Sequence, residues 1–185
     1  MSDTTMPAGN RGSFEKKPNY KYRELIASGN GEWGDAPALP QPPMLMMDRI
    51  VDIDERGGSK GIGSLRGERD LNPGLWFFLC HFKGDPVMPG CLGLDGLWQT
   101  AGFYTGWSGA LGKGRALGLG ELKFLREVPP TAKMIAYEID VTRLIRGRRW
   151  IVEANGLVRL DGQIIYTAKK LRVGVFPREA KKESN

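Results

Sequence analysis

The only histidine of this 185-residue chain, His81, lies where an acid–base site could form. It follows an aromatic run that is typical of a strand, and it enters a loop rich in Gly and Pro that leads to a candidate helix at Cys91. Backbone N–H groups at a helix start have no partner within the helix and lie at the positive end of its dipole. Because Gly90 has no side chain to block them, these groups could bind a developing oxyanion. A structural histidine is the alternative, since histidine is often simply buried.

Asp95 lies about one turn into the same candidate helix, beside Leu94, Leu97 and Trp98. An acid near a helix start often only compensates the helix dipole. Among large apolar residues, however, desolvation raises the pKa of a carboxyl group, which then can donate a proton near neutral pH. With His81 as base, Asp95 as acid would complete an acid–base pair beside an oxyanion site.

Other chemistries fit the residues less well. A nucleophilic site could use Cys91, whose thiol lies near a helix start. A zinc site from Cys80, His81, Asp85 and Cys91 lacks the usual ligand spacing, and neighbours on a strand face opposite ways, so Cys80 and His81 could not easily act together. The chain carries neither a phosphate-binding loop nor a dinucleotide fingerprint. We therefore expect no metal and no nucleotide cofactor.

Strand patterns dominate the body of the chain. Apolar residues alternate over 135–141, and the Asp161-Gly162 dipeptide is typical of a two-residue hairpin turn. Further strands are expected at 45–53, 61–68 and 115–124, which makes an antiparallel sheet of about six strands.

One long helix is expected from Cys91 to Trp107, where apolar residues recur at helical spacing. Its many glycines each cost about 1 kcal/mol relative to alanine, so the helix needs packing on several sides. A short helix is expected over residues 22–28, before a proline-rich loop. The fold class is therefore α+β, with a central helix wrapped by a curled antiparallel sheet.

Composition excludes several classes of protein. Hydrophobic residues make up 41% and charged residues 26%, which is typical of a globular chain. The two ends, residues 1–23 and 178–185, contribute a net +4 of the total +6, so the charge argues only weakly for nucleic acid. The uncharged stretch 96–112 contains too many polar residues and glycines for a membrane span. With no apolar leader and two cysteines, we expect a cytoplasmic protein.

One basic cluster stands apart from the two ends. It holds four cations and no acid within seven residues, namely Arg143, Arg146, Arg148 and Arg149. The cluster is either part of a solvated hairpin or a docking patch for an acidic partner.

The segment from His81 to Asp95, with Trp98-Gln99 after it, resembles the bifunctional 3-hydroxydecanoyl-acyl-carrier-protein dehydratase/isomerase family. Residues 45–49, 112–118 and 130–133 match as well, and the likeness spans about 22–176. The family fold is the hot dog, a long helix wrapped by an antiparallel sheet. Related monofunctional dehydratases carry glutamate at the position of Asp95, which places this chain with the bifunctional branch.

The resemblance implies a role for each matched residue. His81 and Asp95 match the catalytic pair, which the family assembles from different subunits of a homodimer. Gly90, with Cys91 beside it, matches the helix start whose amide polarises the thioester carbonyl. Along the same helix, Trp98, Gln99 and Phe103 are candidates to line the acyl tunnel.

The implied substrate is a (3R)-hydroxyacyl thioester of about ten carbons on acyl carrier protein, and no cofactor is expected. Because the carrier is acidic, the arginine cluster becomes a docking hypothesis. A hot-dog thioesterase, a dehydratase without isomerase activity and a non-catalytic acyl-binding module remain open. We expect a flexible lead over residues 1–21, one catalytic domain over 22–177 and a charged tail over 178–185.

Overall fold

The computed structural model of the protein describes residues 15–178. Within this range the chain forms eight strands and three helices. In chain order these elements are β1 (Tyr20–Lys21), α1 (Tyr22–Gly29), β2 (Arg49–Asp54), β3 (Ser64–Asp70), α2 (Trp76–Cys80), α3 (Gly90–Trp107), β4 (Lys113–Gly118), β5 (Glu121–Phe124), β6 (Met134–Ile145), β7 (Trp150–Leu160) and β8 (Gln163–Phe176).

All strands join one antiparallel sheet in the order β1-β2-β3-β6-β7-β8-β4, and β5 also pairs with β8. The predicted hairpin turn is confirmed, since Asp161 and Gly162 have φ values of 47° and 90°. The single strand expected over 115–124 is instead two strands. Gly118, at a φ of 135°, ends β4 beside an irregularity in its register with β8, and β5 then resumes pairing further along β8.

Helix α3 lies at the centre of the sheet and packs on β6, β7 and β8. Its glycines allow close approach, because the ring of Tyr166 occupies the place of a side chain at Gly93, and that of Tyr137 does so at Gly96. These rings are buried and supply the packing that so glycine-rich a helix requires. The expected fold class, α+β with a curled sheet around one long helix, is confirmed.

The segment from Leu45 to Met47, expected to begin a strand, is buried but lies outside β2. Side chains bond its backbone instead: Arg69 donates to the carbonyl of Leu45, and the carbonyl oxygen of Gln99 accepts from Met46 N–H at 2.9 Å. The apolar pattern of this segment therefore predicted its burial correctly but not its secondary structure.

The predicted lead and tail fall mostly on residues 1–14 and 179–185, which lie outside the described residues. Residues 15–21, assigned to the lead, pack on the domain. Tyr20 is buried and pairs with β2, and the carbonyl of Lys17 accepts a hydrogen bond of 2.8 Å from the indole of Trp107. Across residues 15–178, no helix combines the length and hydropathy needed to cross a bilayer.

Candidate active site

His81 caps a short helix rather than leaving a strand. The aromatic run before it forms α2, in which Phe77 and Phe78 are buried and Leu79 is 75% exposed. A run this short has no periodicity that separates a strand from a buried helical turn, which explains the wrong prediction. The bond from His81 N–H to the carbonyl of Phe77, at 3.0 Å, closes the turn and directs the chain into the loop.

The imidazole of His81 is held by the backbone of Val87. Its Nδ1 lies 2.9 Å from the Val87 carbonyl oxygen, and Val87 N–H donates to the His81 carbonyl at 2.8 Å. Because a carbonyl oxygen only accepts, Nδ1 carries the hydrogen, and Nε2 of the neutral ring has a free lone pair. The loop itself is anchored by a bond of 3.0 Å from Met88 N–H to Val128. The backbone therefore fixes the ring of His81 and leaves Nε2 as the nitrogen that could accept a proton.

His81 shares a cavity of about 460 Å³ with the start of α3. Gly90 is the first residue of the helix, and it lines this cavity together with Phe124 and Tyr166. A Cβ atom at Gly90 would lie 2.9 Å from the Phe124 ring, so a larger residue here would require that ring to shift. Cys91, which follows, is exposed. His81 and the first residue of α3 therefore line one space, an arrangement that could stabilise an oxyanion.

Asp95 is more than half buried on α3 and bonded to Gln99. The Gln99 amide nitrogen donates to Asp95 Oδ2 at 2.6 Å and to the carbonyl of Met44 at 2.8 Å. Burial raises the pKa of Asp95 above the usual aspartate value, and the Gln99 hydrogen bond offsets part of that rise. Since Gln99 occupies Oδ2, Oδ1 is the oxygen that can carry a transferable proton.

Asp95 lines a second cavity, of about 330 Å³, together with all three tunnel candidates: Trp98, Gln99 and Phe103. The remaining lining is mostly apolar and includes Leu39, Met44 and Val173. Residues 95, 98, 99 and 102 share one face of α3, because helical neighbours recur three and four residues apart. The cavity thus runs along the helix from the acid.

The two halves of the expected acid–base pair lie in different cavities of one chain. His81 and Gly90 line the first cavity, and Asp95 lines the second. Large apolar side chains around the first cavity are strongly exposed: Phe82 is 57%, Phe124 is 55% and Leu125 is 56% exposed. Exposed apolar area of this kind is typical of a surface that another protein covers.

The cysteines are free, and neither is bonded to His81 in the described structure. The prediction that Cys80 and His81 are neighbours on a strand is wrong, because Cys80 is the last residue of α2 and His81 caps that helix. In α2 the Cys80 thiol lies 3.3 Å from the Trp76 carbonyl, a contact within its own helix. Among residues 15–178, no group of three or more potential ligands is placed to hold a metal ion.

The arginine cluster is exposed and spans the end of β6, which contains Arg143, and the turn to β7, which contains the other three arginines. Arg146 lies over the ring of Trp150 and Arg149 over that of Phe176, each with its guanidinium carbon 5.8 Å from the ring centre. Trp150 also approaches Gly109, just beyond the end of α3. The cluster therefore lies near the end of α3 opposite to Gly90, and this helix of 18 residues at 1.5 Å each is about 27 Å long.

Several residues that complete the site carried no signal in the sequence. The Val87 carbonyl orients His81, the Met44 carbonyl orients Gln99, and neither role depends on side-chain type. Phe124 was expected only as part of a strand, yet its ring covers Gly90. Such contacts depend on how distant segments meet.

Replacing Gln99 with methionine tests its role as a positioning residue. We expect kcat to fall about 10–100-fold, because small misplacement of a catalytic group has effects of that size. Losing the hydrogen bond also raises the pKa of Asp95 further. If Asp95 acts as the proton donor, the alkaline limb of the kcat/KM profile then moves to higher pH. A matched Thr100→Ser variant should keep the wild-type profile, and an unmoved limb in Gln99→Met would contradict this role.

Comparison with known proteins agrees with this architecture. The model of the FabA-like domain family matches residues 39–169, well over half of the chain. A dehydratase heterocomplex, ApeI:P from Xenorhabdus doucetiae, superposes with a TM-score of 0.56 at 12% identity, covering 77% of this chain and 88% of that one. A proposed thioesterase related to phenylacetic acid degradation, from Ralstonia eutropha, gives a TM-score of 0.47 at 21% identity, covering 68% and 83%.

The curled antiparallel sheet around one long helix is the hot-dog fold. The chain belongs to the FabA-like domain family.

Proposed function

We propose that the protein dehydrates (3R)-hydroxyacyl-acyl-carrier-protein of about ten carbons and isomerises the trans-2-enoyl product to the cis-3 isomer. The observation that carries the proposal is the position of His81, which lines one cavity with Gly90 and whose Nδ1 is held by the Val87 carbonyl, so that Nε2 remains to accept a proton. A base beside a helix start suits removal of a proton next to a thioester carbonyl.

In the dehydration step, Nε2 of His81 removes a proton from C2 while the N–H groups at Gly90 stabilise the charge on the thioester oxygen. The C–O bond at C3 then breaks, and Oδ1 of Asp95 gives its proton to the departing hydroxyl, which leaves as water. In the isomerisation, His81 removes a proton from C4 and a proton returns to C2, so the double bond moves to C3–C4. The chemistry requires no cofactor or metal, since the thioester itself acidifies C2.

A complete site requires two protomers in this proposal. The separation of His81 and Asp95 into two cavities supports a homodimer in which each site takes its base from one subunit and its acid from the other. The exposed side chains of Phe82, Phe124 and Leu125 support the same arrangement, because covering an apolar side chain of this size stabilises by about 1.5–3 kcal/mol. Hot-dog proteins usually dimerise, and this family acts on acyl thioesters.

The expected partner is acyl carrier protein, and the expected location is the cytoplasm. The exposed cluster of Arg143, Arg146, Arg148 and Arg149 supports docking of an acidic carrier. The proposal involves neither nucleic acid nor a membrane.

The proposal is tested by incubating the purified protein with a 3-hydroxydecanoyl thioester and separating the trans-2 and cis-3 products by chromatography. Both alkenes should appear with the wild type. Trans-2 product alone would indicate a dehydratase without isomerase activity. Free thiol with stoichiometric fatty acid would indicate a thioesterase. No turnover, with His81→Ala binding substrate as the wild type does, would indicate an acyl-binding module.

A further inference from the structure

Helix α3 contains five glycines, each of which weakens a helix relative to alanine. At four of them a neighbouring ring lies within 3 Å of where a side chain would begin, and the pairs are Gly90 with Phe124, Gly93 with Tyr166, Gly96 with Tyr137 and Gly106 with Pro37. Close packing therefore explains these four.

Gly102 is different. The nearest heavy atom to a Cβ built there is Val173 Cγ1, at 3.9 Å, which is an ordinary van der Waals contact. Its backbone is helical, so the residue could carry a side chain without strain. Neither packing nor backbone conformation explains a glycine at this position.

The cavity that begins at Asp95 supplies a reason, because Gly102 lines it two turns further along the same face. Between these residues the walls are chiefly apolar, from Leu39, Phe103 and Val173. An apolar cavity holds water poorly and suits an alkyl chain. A side chain at Gly102 would project into this space.

We propose that Gly102 keeps the cavity open for the acyl chain and limits its length, a role that rests on the proposed function. The seven residues from Asp95 to Gly102 rise about 10 Å. An extended chain advances roughly 1.2 Å per bond, so about eight bonds fit beyond the carbon facing Asp95. If that carbon is C3, the hydroxyl-bearing carbon, about eight further bonds reach C11, so a ten-carbon chain fits with roughly one bond to spare before Gly102.

The test compares Gly102→Ala and Gly102→Leu with the wild type on 3-hydroxyacyl thioesters of four to twelve carbons. Gly102→Ala should raise the unfolding midpoint, because alanine favours the helix and its methyl group makes only an ordinary contact with Val173. Gly102→Leu should lower kcat/KM for the ten-carbon substrate about 10–100-fold and leave the four-carbon substrate within about twofold. Adding Val173→Ala, on the facing wall, should return part of the long-chain activity.

Gly96→Ala is the matched control on the same helix, since its new methyl group would collide with Tyr137, which lines neither cavity. It should lower stability and affect all chain lengths by the same factor. Equal loss at every length in Gly102→Leu, or no loss at all, would overturn the proposal.

Binding separates this inference from the proposed function. Calorimetry with unreactive decanoyl and butyryl thioether analogues measures the cavity without catalysis. If the wild type binds the decanoyl analogue but dehydrates nothing, and Gly102→Leu loses only that analogue, the proposed function fails and the length limit stands. If Gly102→Leu binds both analogues as the wild type does, the length limit is wrong whatever the reaction.

Discussion

Mixing two inactive variants, His81→Ala and Asp95→Asn, is expected to restore about a quarter of the wild-type dehydration rate after the subunits exchange. Each variant alone should lose about 10²–10⁴-fold, the usual contribution of a general base or acid. The two side chains line different cavities of one chain, so an active centre assembled between protomers takes one from each. Half of randomly mixed dimers are mixed, and each mixed dimer keeps one of its two sites intact.

The recovered rate is measured after mild denaturation and joint refolding of equal amounts, with each variant refolded alone as the control. The double variant His81→Ala/Asp95→Asn, mixed with the wild type, provides a second control. In its mixed dimers each of the two sites has one group intact and one replaced, so these dimers should be inactive. If the two single variants show no recovery while size-exclusion chromatography shows mixed dimers, the shared centre is wrong.

Charge reversal at Arg148 and Arg149 is expected to raise KM for the carrier-protein substrate about 10–100-fold and to leave KM for a short free thioester unchanged. Opposite charges across an interface raise the association rate, whereas a small thioester makes no such contact. Both side chains lie on the exposed β6–β7 turn, so their replacement should not disturb the core. The wild-type KM for the carrier substrate should also rise with salt, because screening weakens exposed charge pairs.

Reversal of Lys21 and Arg23, which are exposed beside α1, makes the matched control with the same change in net charge. It should leave KM for both substrates near the wild-type values. An equal loss on the carrier substrate and the short thioester would refute docking at the arginine cluster.

The elements that follow from local pattern were predicted well. The central helix begins one residue before the expected start and ends at Trp107 as expected. The hairpin at Asp161-Gly162 formed because both positions take the positive φ that this dipeptide tolerates. In each case the residues that determine the structure are neighbours in sequence.

Features that depend on contacts between residues far apart in the sequence could not be predicted. The strand expected to begin at Leu45 begins at Arg49, because Gln99, more than fifty residues away, bonds the backbone of Met44 and Met46. At the site, residue type indicated His81 and Asp95 as candidates. Their distribution over two cavities depends on the curvature of the sheet around α3, which no local pattern encodes.

The Gln99 side chain is hydrogen-bonded to the backbone of Met44 and Met46, at the end of a proline-rich loop. The time for which Gln99 stays in place beside Asp95 therefore depends on how long that loop stays closed. Local opening of that loop would expose the Met46 amide to solvent and release the Gln99 side chain in the same event. Amide hydrogen exchange at Met46 therefore reports how often Asp95 loses its oriented neighbour. The hydrogen bond that orients Asp95 therefore lasts only as long as a segment that belongs to neither helix nor sheet stays closed.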